Sequence, residues 1–262
     1  MNTMQSRRRF LGLSASLGSA VALSGCDALD GFLHPQSEVR GFLEKANGLT
    51  YRVQRMLLDS DALATEFAES EIRQPMRPNG VTQPDNMEYL MLSSNDFRLY
   101  RLEVKGLVEK PLSLSLDKLR AMPARTQITR HDCVEGWSCV AKWTGVPLAH
   151  VLDQAVAKAG ARYVVFHCFD TIGRNLSGDL KYYESIDMLD ARHPQTILAY
   201  GLNGENLPVA NGAPLRVRVE RQLGYKMAKY VHTIELVDSF ASIGGGKGGY
   251  WEDHGYDWFA GI

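Results

Sequence analysis

Three observations in the amino-acid sequence predict a mixed α+β, strand-rich fold. Period-two runs such as Tyr100, Leu102 and Val104, alternating with Arg101 and Glu103, have the signature of strands with one buried face. Segments with helical spacing are few, and long irregular connections separate them from the strands, which does not match regular βαβ winding. The composition, 45% hydrophobic and 23% charged over 262 residues, is that of an ordinary globular chain with enough material for one large domain or two small ones.

In chain order, the first segment reads as a targeting sequence. Ser6-Arg7-Arg8-Arg9-Phe10-Leu11 matches the twin-arginine export pattern, and the stretch to Gly25 is too short and too weakly apolar for a stable transmembrane span. Leu23-Ser24-Gly25-Cys26 resembles a bacterial lipobox, in which the cysteine is acylated after cleavage. The expected mature protein therefore lies in the periplasm, tethered to a membrane through Cys26. The twin-arginine translocation machinery carries folded proteins, which points to a cofactor inserted before export. The expected organisation is a leader over residues 1–25, a helical and loop extension over 26–84, a core over 85–240 and a glycine- and aromatic-rich tail over 241–262.

Residues 36–70 carry Val39, Phe42, Leu43 and Ala46, then Val53, Met56 and Leu57, near the spacing of a buried helical face; Gly48 is expected to divide them into two helices. Pro75, Pro78 and Pro84 make the next segment a loop, and its Arg73, Arg77 and Asn79 either meet an anionic ligand or decorate an exposed linker. Leu116 to Met122 reads as a short helix stopped by Pro123. Leu148 to Ala159 reads as a clearer one, with Leu148, Val151, Leu152 and Ala155 on one side and Gly160 as its stop. Tyr163 to Cys168 is a buried strand, Leu215, Val217 and Val219 alternate with Arg216, Arg218 and Glu220 as another, and Val231 to Val237 forms a third. The tail from Gly244 to Phe259 either wraps an apolar surface as a terminal clasp, the preferred reading, or lines a pocket with its Tyr and Trp residues.

The formal net charge of -1 gives no support for nucleic-acid binding, which needs a basic surface. Neither GxGxxG nor a Walker motif is present, so dinucleotide and nucleoside triphosphate chemistry lack their usual signals. The absence of CxxCH argues against covalently attached c-type haem. The 4 cysteines are too few for a disulfide scaffold, and with Cys26 consumed by lipid, Cys133, Cys139 and Cys168 form an odd set in an oxidising compartment.

Cys133, in His131-Asp132-Cys133-Val134-Glu135-Gly136-Trp137-Ser138-Cys139, admits four roles. It is a nucleophile served by His131, which shares its face in an extended segment. It is one ligand of a structural zinc site with Cys139, His131, Cys168 or His167. It pairs with Cys139 in a disulfide. Or it is a single thiolate on a soft redox metal.

The surrounding motifs favour the last. Cys133-Val134-Glu135-Gly136-Trp137-Ser138, followed by Trp143-Thr144-Gly145-Val146-Pro147-Leu148, resembles the molybdenum-cysteine segment of the sulfite oxidase family. The likeness is greatest to the exported bacterial branch that includes the catalytic subunit of the periplasmic methionine-sulfoxide reductase. Asn211-Gly212-Ala213-Pro214-Leu215-Arg216 and Gly224-Tyr225-Lys226-Met227-Ala228-Lys229 resemble the family's pterin-binding stretches, in the expected order.

The resemblance implies a molybdenum-molybdopterin cofactor, with Cys133 as metal ligand and Asn211, Arg216, Met227, Ala228 and Lys229 around the pterin and its phosphate. By the same resemblance Asn79, His167 and Asp170 approach the cofactor, and Tyr250 and Tyr256 of the tail approach the substrate side. Cys168 falls where that branch uses threonine and is expected to be buried filler. Arg77 and Arg130 are both candidates for the arginine beside the metal. The short stretch after Val237 leaves no room for the long dimerisation domain of the eukaryotic-type enzymes.

The implied reaction is two-electron oxygen-atom transfer, reducing an S- or N-oxide, small or protein-bound, such as methionine sulfoxide. The electrons would come from a membrane cytochrome b or a periplasmic cytochrome. The alternatives are a sulfite dehydrogenase that donates electrons to a cytochrome and a non-enzymatic envelope binding domain with a Cys133–Cys139 disulfide.

Overall fold

The computed structural model describes residues 38–262 apart from 58, 60 and 177, and side chains from residue 48 onward except that of 175. The twin-arginine segment and Cys26 lie outside the described residues. Among those described, no helix is long and apolar enough to cross a membrane.

The fold is mixed α+β and strand-rich. Helix α1 (Glu38–Leu57) is followed by irregular chain with one 3-10 turn at Glu69–Glu71, then by α2 (Met87–Ser94). Asn86 caps α2 by accepting from the Tyr89 N–H, which satisfies one of the amides that a helix start leaves open. Strands β1 (Arg101–Gly106) and β2 (Leu112–Ser115) lead to α3 (Leu116–Arg120) and then to the long hairpin of β3 (Arg125–Cys133) and β4 (Trp137–Pro147). Next come α4 (Leu148–Ala155), β5 (Tyr163–Asn175), β6 (Gly178–Asp187), α5 (Met188–Arg192), β7 (Ile197–Leu202), β8 (Glu205–Asn206), β9 (Arg216–Arg218), β10 (Val231–Val237) and α6 (Tyr250–Asp253).

The strands form two sheets. One runs β2-β1-β10-β5-β6, with β1 and β10 parallel and the other pairs antiparallel. The other runs β3-β4-β7-β8, with β9 also paired to β7. The main core collects the buried faces of β1, β5 and β10 with Tyr89 of α2 and Leu148, Val151, Leu152 and Ala155 of α4. A smaller core lies on the second sheet around Cys139, Ala141, Trp143, Ile197 and Ala199.

Several expectations change. Gly48 does not divide α1, because one exposed glycine costs a helix only ~1 kcal/mol relative to alanine. Helix α4 stops at Ala155, ahead of Gly160, because Val156 takes a left-handed backbone (φ 54°) and Ala157 leaves to pair with Val108. Strand β5 continues past Cys168 to Asn175, because β6 pairs along its length. Arg216 and Arg218, expected on a face alternating with buried aliphatics, are themselves completely buried. Hairpin β3–β4 is legible in the sequence only as the extended His131–Cys133 piece, because the inward face of β3 carries Gln127, Thr129 and His131, polar residues that hide its period.

Candidate active site

Cys133 ends β3 at the tip of the hairpin, opposite Trp137. That register places Cys139 opposite His131, and Cys133, Cys139 and Cys168 are all free thiols. The disulfide expected under the binding-domain alternative is therefore not formed. Among the described residues no three His, Cys, Asp or Glu side chains converge on a metal site, so the protein-only zinc cage is absent as well. A metal on Cys133 would take its other ligands from outside the chain.

The Cys133 thiol is half-buried, and burial pushes its pKa up, against N–H donation from Glu135 and Val134 and the positive charge of Arg77, which favour the thiolate. A raised thiol is a poor unassisted nucleophile at neutral pH, whereas metal coordination deprotonates it outright. His131 does not act as its base. Its imidazole is completely buried, with Nδ1 2.9 Å from Arg218 and 3.3 Å from the Met227 sulfur. Burial first, then the positive charge of Arg218, holds it neutral, well below the usual histidine range.

Cys133 opens into a cleft of about 150 Å³ between the hairpin tip and the ends of β5 and β6. Asn79, Gly80 and Val81 wall it on one side, Asp170, Ile172 and Tyr182 on another, and Gly224, Tyr225, Met227 and Lys229 form its base. Trp251 and Tyr256 reach over from the tail. The tail is thus both the expected clasp and a pocket wall.

Lys229, in the lining, and Arg216, buried just behind it, have no carboxylate within ion-pair distance among the described residues. The Lys229 ammonium donates to the carbonyls of Asn79, at 2.6 Å, Ala210, at 3.0 Å, and Val81. Burial, reinforced by Arg216, lowers its pKa to about 7. Arg216 donates to the carbonyls of Asn211 and Met227, stands over the Trp143 ring at 4.9 Å and keeps a buried Nε with no acceptor. Its pKa falls to about 9, through burial and then the charge of Arg218. Arg218, by contrast, is neutralised by Glu220 at 2.6 Å.

Gly212 closes the turn between the two unpaired cations in a left-handed conformation (φ +115°); a Cβ there would stand 3.0 Å from Lys229 and 3.1 Å from Arg216 side-chain atoms. Burying charge without a counterion is costly, so this base calls for an anion. Asp170 meets that need only in part, because burial raises its carboxyl to about 7, and its Oδ1 is buried without a partner. Asn79 Oδ1 and His131 Nε2 are likewise buried and unsatisfied. A phosphorylated, hydrogen-bonding ring system such as a pterin fits this donor set.

These features are what a molybdopterin-binding domain needs, and the match extends over sequence: the profile of the oxidoreductase molybdopterin binding domain covers residues 90–242, more than half of the chain. The chain belongs to this family. It is homologous to the methionine-sulfoxide reductase branch of the sulfite-oxidase proteins. A putative protein-methionine-sulfoxide reductase subunit of Azospira oryzae is 38% identical over 98% of this chain and 88% of that protein. The catalytic subunit of the protein-methionine-sulfoxide reductase of Xanthomonas campestris is 41% identical over 53% of this chain and 45% of its own length. The chain therefore spans less than half of that catalytic subunit. Among solved structures, the sulfane dehydrogenase of Paracoccus pantotrophus aligns at 25% identity with a TM-score of 0.46, over 54% of this chain and 39% of that one.

Of the residues singled out in the sequence, the structure brings Asn79, Cys133, Asp170, Met227, Lys229 and Tyr256 to one cleft. Asn211, Arg216 and Ala228 sit buried just behind it. Two are not brought there. His167 points to the other face of β5 and pairs with Glu235 at 2.8 Å, and Tyr250 stacks on His254 with ring centroids 4.4 Å apart. Of the two candidate arginines, Arg130 pairs outward with Asp132, while Arg77 lies over Trp137 at 4.7 Å on the Cys133 side.

The sequence reading missed Gly224, where a Cβ would stand 2.5 Å from the His131 ring, and the buried centre of Lys226 with Glu184 and Glu252. Lys226 lay inside a quoted motif, but its two partners come from distant segments with no spacing signal.

Proposed function

We propose that the protein is a molybdenum-dependent oxidoreductase of the periplasm that reduces an S- or N-oxide, such as methionine sulfoxide, with electrons from a cytochrome. The observation that carries this reading is the pair of buried cations without an ion-pair partner, Lys229 lining the cleft into which Cys133 opens and Arg216 buried just behind it. In the overall change the sulfoxide takes up two electrons and two protons, its sulfur–oxygen bond breaks, and the products are the thioether and water.

When bound, the molybdenum-pterin group would supply the two-electron oxygen-atom exchange. Cys133 would be its thiolate ligand. Arg216 and Lys229 would hold the phosphate, with the backbone of Met227 and Ala228 alongside, and Asn211 and Asn79 would hydrogen-bond the ring system. Asp170, held near neutrality, is suited to give or take a proton at the same wall.

The cleft lining supports the reductive direction. Val81, Val134, Ile172, Trp251 and Tyr256 give the cleft an apolar and aromatic part that suits a sulfoxide carrying an alkyl chain, and Glu135 in the same lining disfavours a dianion. A sulfite dianion would need several cations converging beside Cys133, and of the two candidate arginines only Arg77 lies on that side. Export by the twin-arginine route, a lipid tether at Cys26, a core over 85–240 and a cytochrome b or soluble cytochrome as donor belong to the same reading, and tethering would raise the effective concentration of a membrane partner.

The test compares molybdenum-loaded protein on methionine sulfoxide with a reduced donor and on sulfite with an oxidised cytochrome. Turnover of the sulfoxide alone is expected, and Cys133→Ser should lose more than about 100-fold of it, on the order of 3 kcal/mol. Turnover of sulfite alone, or full activity in Cys133→Ser, would contradict the reading.

A further inference from the structure

Residues beyond Ile243 fold back as a strap that is tied down along its length. Asp253 accepts from the N–H groups of Gly245 and Lys247 and from the Tyr183 hydroxyl, the Tyr225 hydroxyl donates to the Asp257 carbonyl, and the Trp258 indole donates to Ser185. At its centre the Lys226 ammonium, 0% exposed, donates to Glu184 and to Glu252 at 2.5 Å each. The second oxygen of each carboxylate is buried and has no acceptor or donor of its own. Burial, with the neighbouring Glu252 carboxylate adding to it, pushes the Glu184 carboxyl well above the usual range, and one proton on the pair would leave the three-residue centre uncharged. Such a centre contributes little stability compared with an apolar one of the same volume, so its value lies in fixing position.

What it positions is aromatic. Trp251, next to Glu252, stacks on Tyr256 with centroids 5.2 Å apart and an interplanar angle of 29°. Tyr256 meets Tyr225 edge-on at 5.2 Å, and all three rings line the cleft of Cys133. Lys226 directly follows Tyr225, so one ionic centre fixes both ends of this wall. Aromatic faces and edges make favourable contacts with thioether sulfur and with methylene groups.

We propose that Trp251, with Tyr256 and Tyr225, forms a substrate subsite for the alkyl chain that carries the sulfinyl group of the oxide and selects for it over small sulfoxides, and that Glu184, Lys226 and Glu252 are the positioning residues of that wall. This inference rests on the oxide-reductase reading and extends it from the reacting sulfur to the rest of the substrate.

The test uses the full, molybdenum-loaded protein with a reduced viologen donor. The kcat/KM for N-acetylmethionine sulfoxide amide is divided by that for dimethyl sulfoxide. Trp251→Leu should lower this ratio about three- to tenfold, through KM of the larger substrate. Binding of N-acetylmethionine amide, which involves no turnover, should weaken by a similar factor in calorimetry. Tyr256→Leu, at a position 41% exposed, should act in the same direction and serves if the Trp251 variant does not fold. Glu252→Ala should lower the ratio as well, and Glu252→Gln, which keeps an acceptor for Lys226, should restore it. An unchanged ratio in both wall variants, with wild-type protein turning over both substrates, overturns the subsite alone. Wild-type protein that binds molybdenum and turns over neither sulfoxide overturns the subsite and the proposed function together.

Discussion

At the scale of single residues, Lys229 carries the clearest consequence. Its pKa of about 7 in the folded chain lies below its unfolded value of about 10.4. Below about pH 7 the lysine is protonated in both states and the burial penalty is fully present; between about 7 and 10 the unfolded chain binds a proton that the folded chain has released. Stability of the cofactor-free protein should therefore rise as pH rises from about 7 toward 8, below the range where Arg216 releases its proton, and Lys229→Met should abolish that slope, as read from denaturant unfolding at several pH values.

Asp170 acts in the opposite sense and at lower pH. Its raised carboxyl contributes stability that is lost as pH rises through about 7, which is why the window above 7 isolates the lysine. Cofactor phosphate should restore the charge on Lys229, while Cys133 gives up its thiol proton to the metal, so loading of the wild type should take up more protons, by up to about one, than loading of Lys229→Met, in which only the thiol proton is released. Proton exchange measured by calorimetry in buffers of different ionisation enthalpy checks this; equal proton exchange in the wild type and Lys229→Met would contradict it. The sequence named Arg216 and Lys229, but not that they are buried and unpaired, because that depends on which strands cover them.

At the scale of elements, the hairpin β3–β4 presents Cys133 at its tip, and the turn Gly224–Lys226 meets the hairpin from below. Gly224 is needed for this approach: a Cβ would fall 2.5 Å from the His131 ring and 3.2 Å from the Asp132 carbonyl. Gly224→Ala should cost roughly 1–3 kcal/mol through displacement of the hairpin, seen as a lower denaturant midpoint. It should also weaken cofactor retention, since Met227 and Lys229 follow directly.

Strands with an aliphatic face, such as β1 and β10, were legible from their alternation. The strand that matters most for the site was not, because its buried face is Gln127, Thr129 and His131 and resembles the polar face of an ordinary strand. Gln127 is buried against Glu220 at 2.8 Å, and His131 against Arg218, so polar partners from β9 and the segment after it replace the aliphatic contacts that a periodicity search detects.

At the scale of the whole molecule, the order of the three motifs along the chain was enough to name the family, and the fold brings the first and third to one cleft with the second buried just behind it. The strap over that cleft was legible only as composition. Its glycines and aromatics favoured a clasp over a pocket wall, and long-range partners such as Glu184 and Lys226 make it both. Truncation after Ile243 would leave Glu184 and Lys226 without Glu252 and uncover the apolar wall. A loss of roughly 3–5 kcal/mol is expected from the broken buried centre, read as a clear fall in Tm; an unchanged Tm would show that the strap is not part of the folded unit.

The central claim is that Arg216 and Lys229 hold the phosphate of a molybdenum-pterin group beside Cys133. Molybdenum and pterin content, measured together on protein matured in a cofactor-competent host, tests it most directly. About one of each per chain is expected in the wild type, with both lost in the Arg216→Ala, Lys229→Ala double variant while the fold is retained. Wild-type protein that matures in such a host with neither molybdenum nor pterin would contradict it.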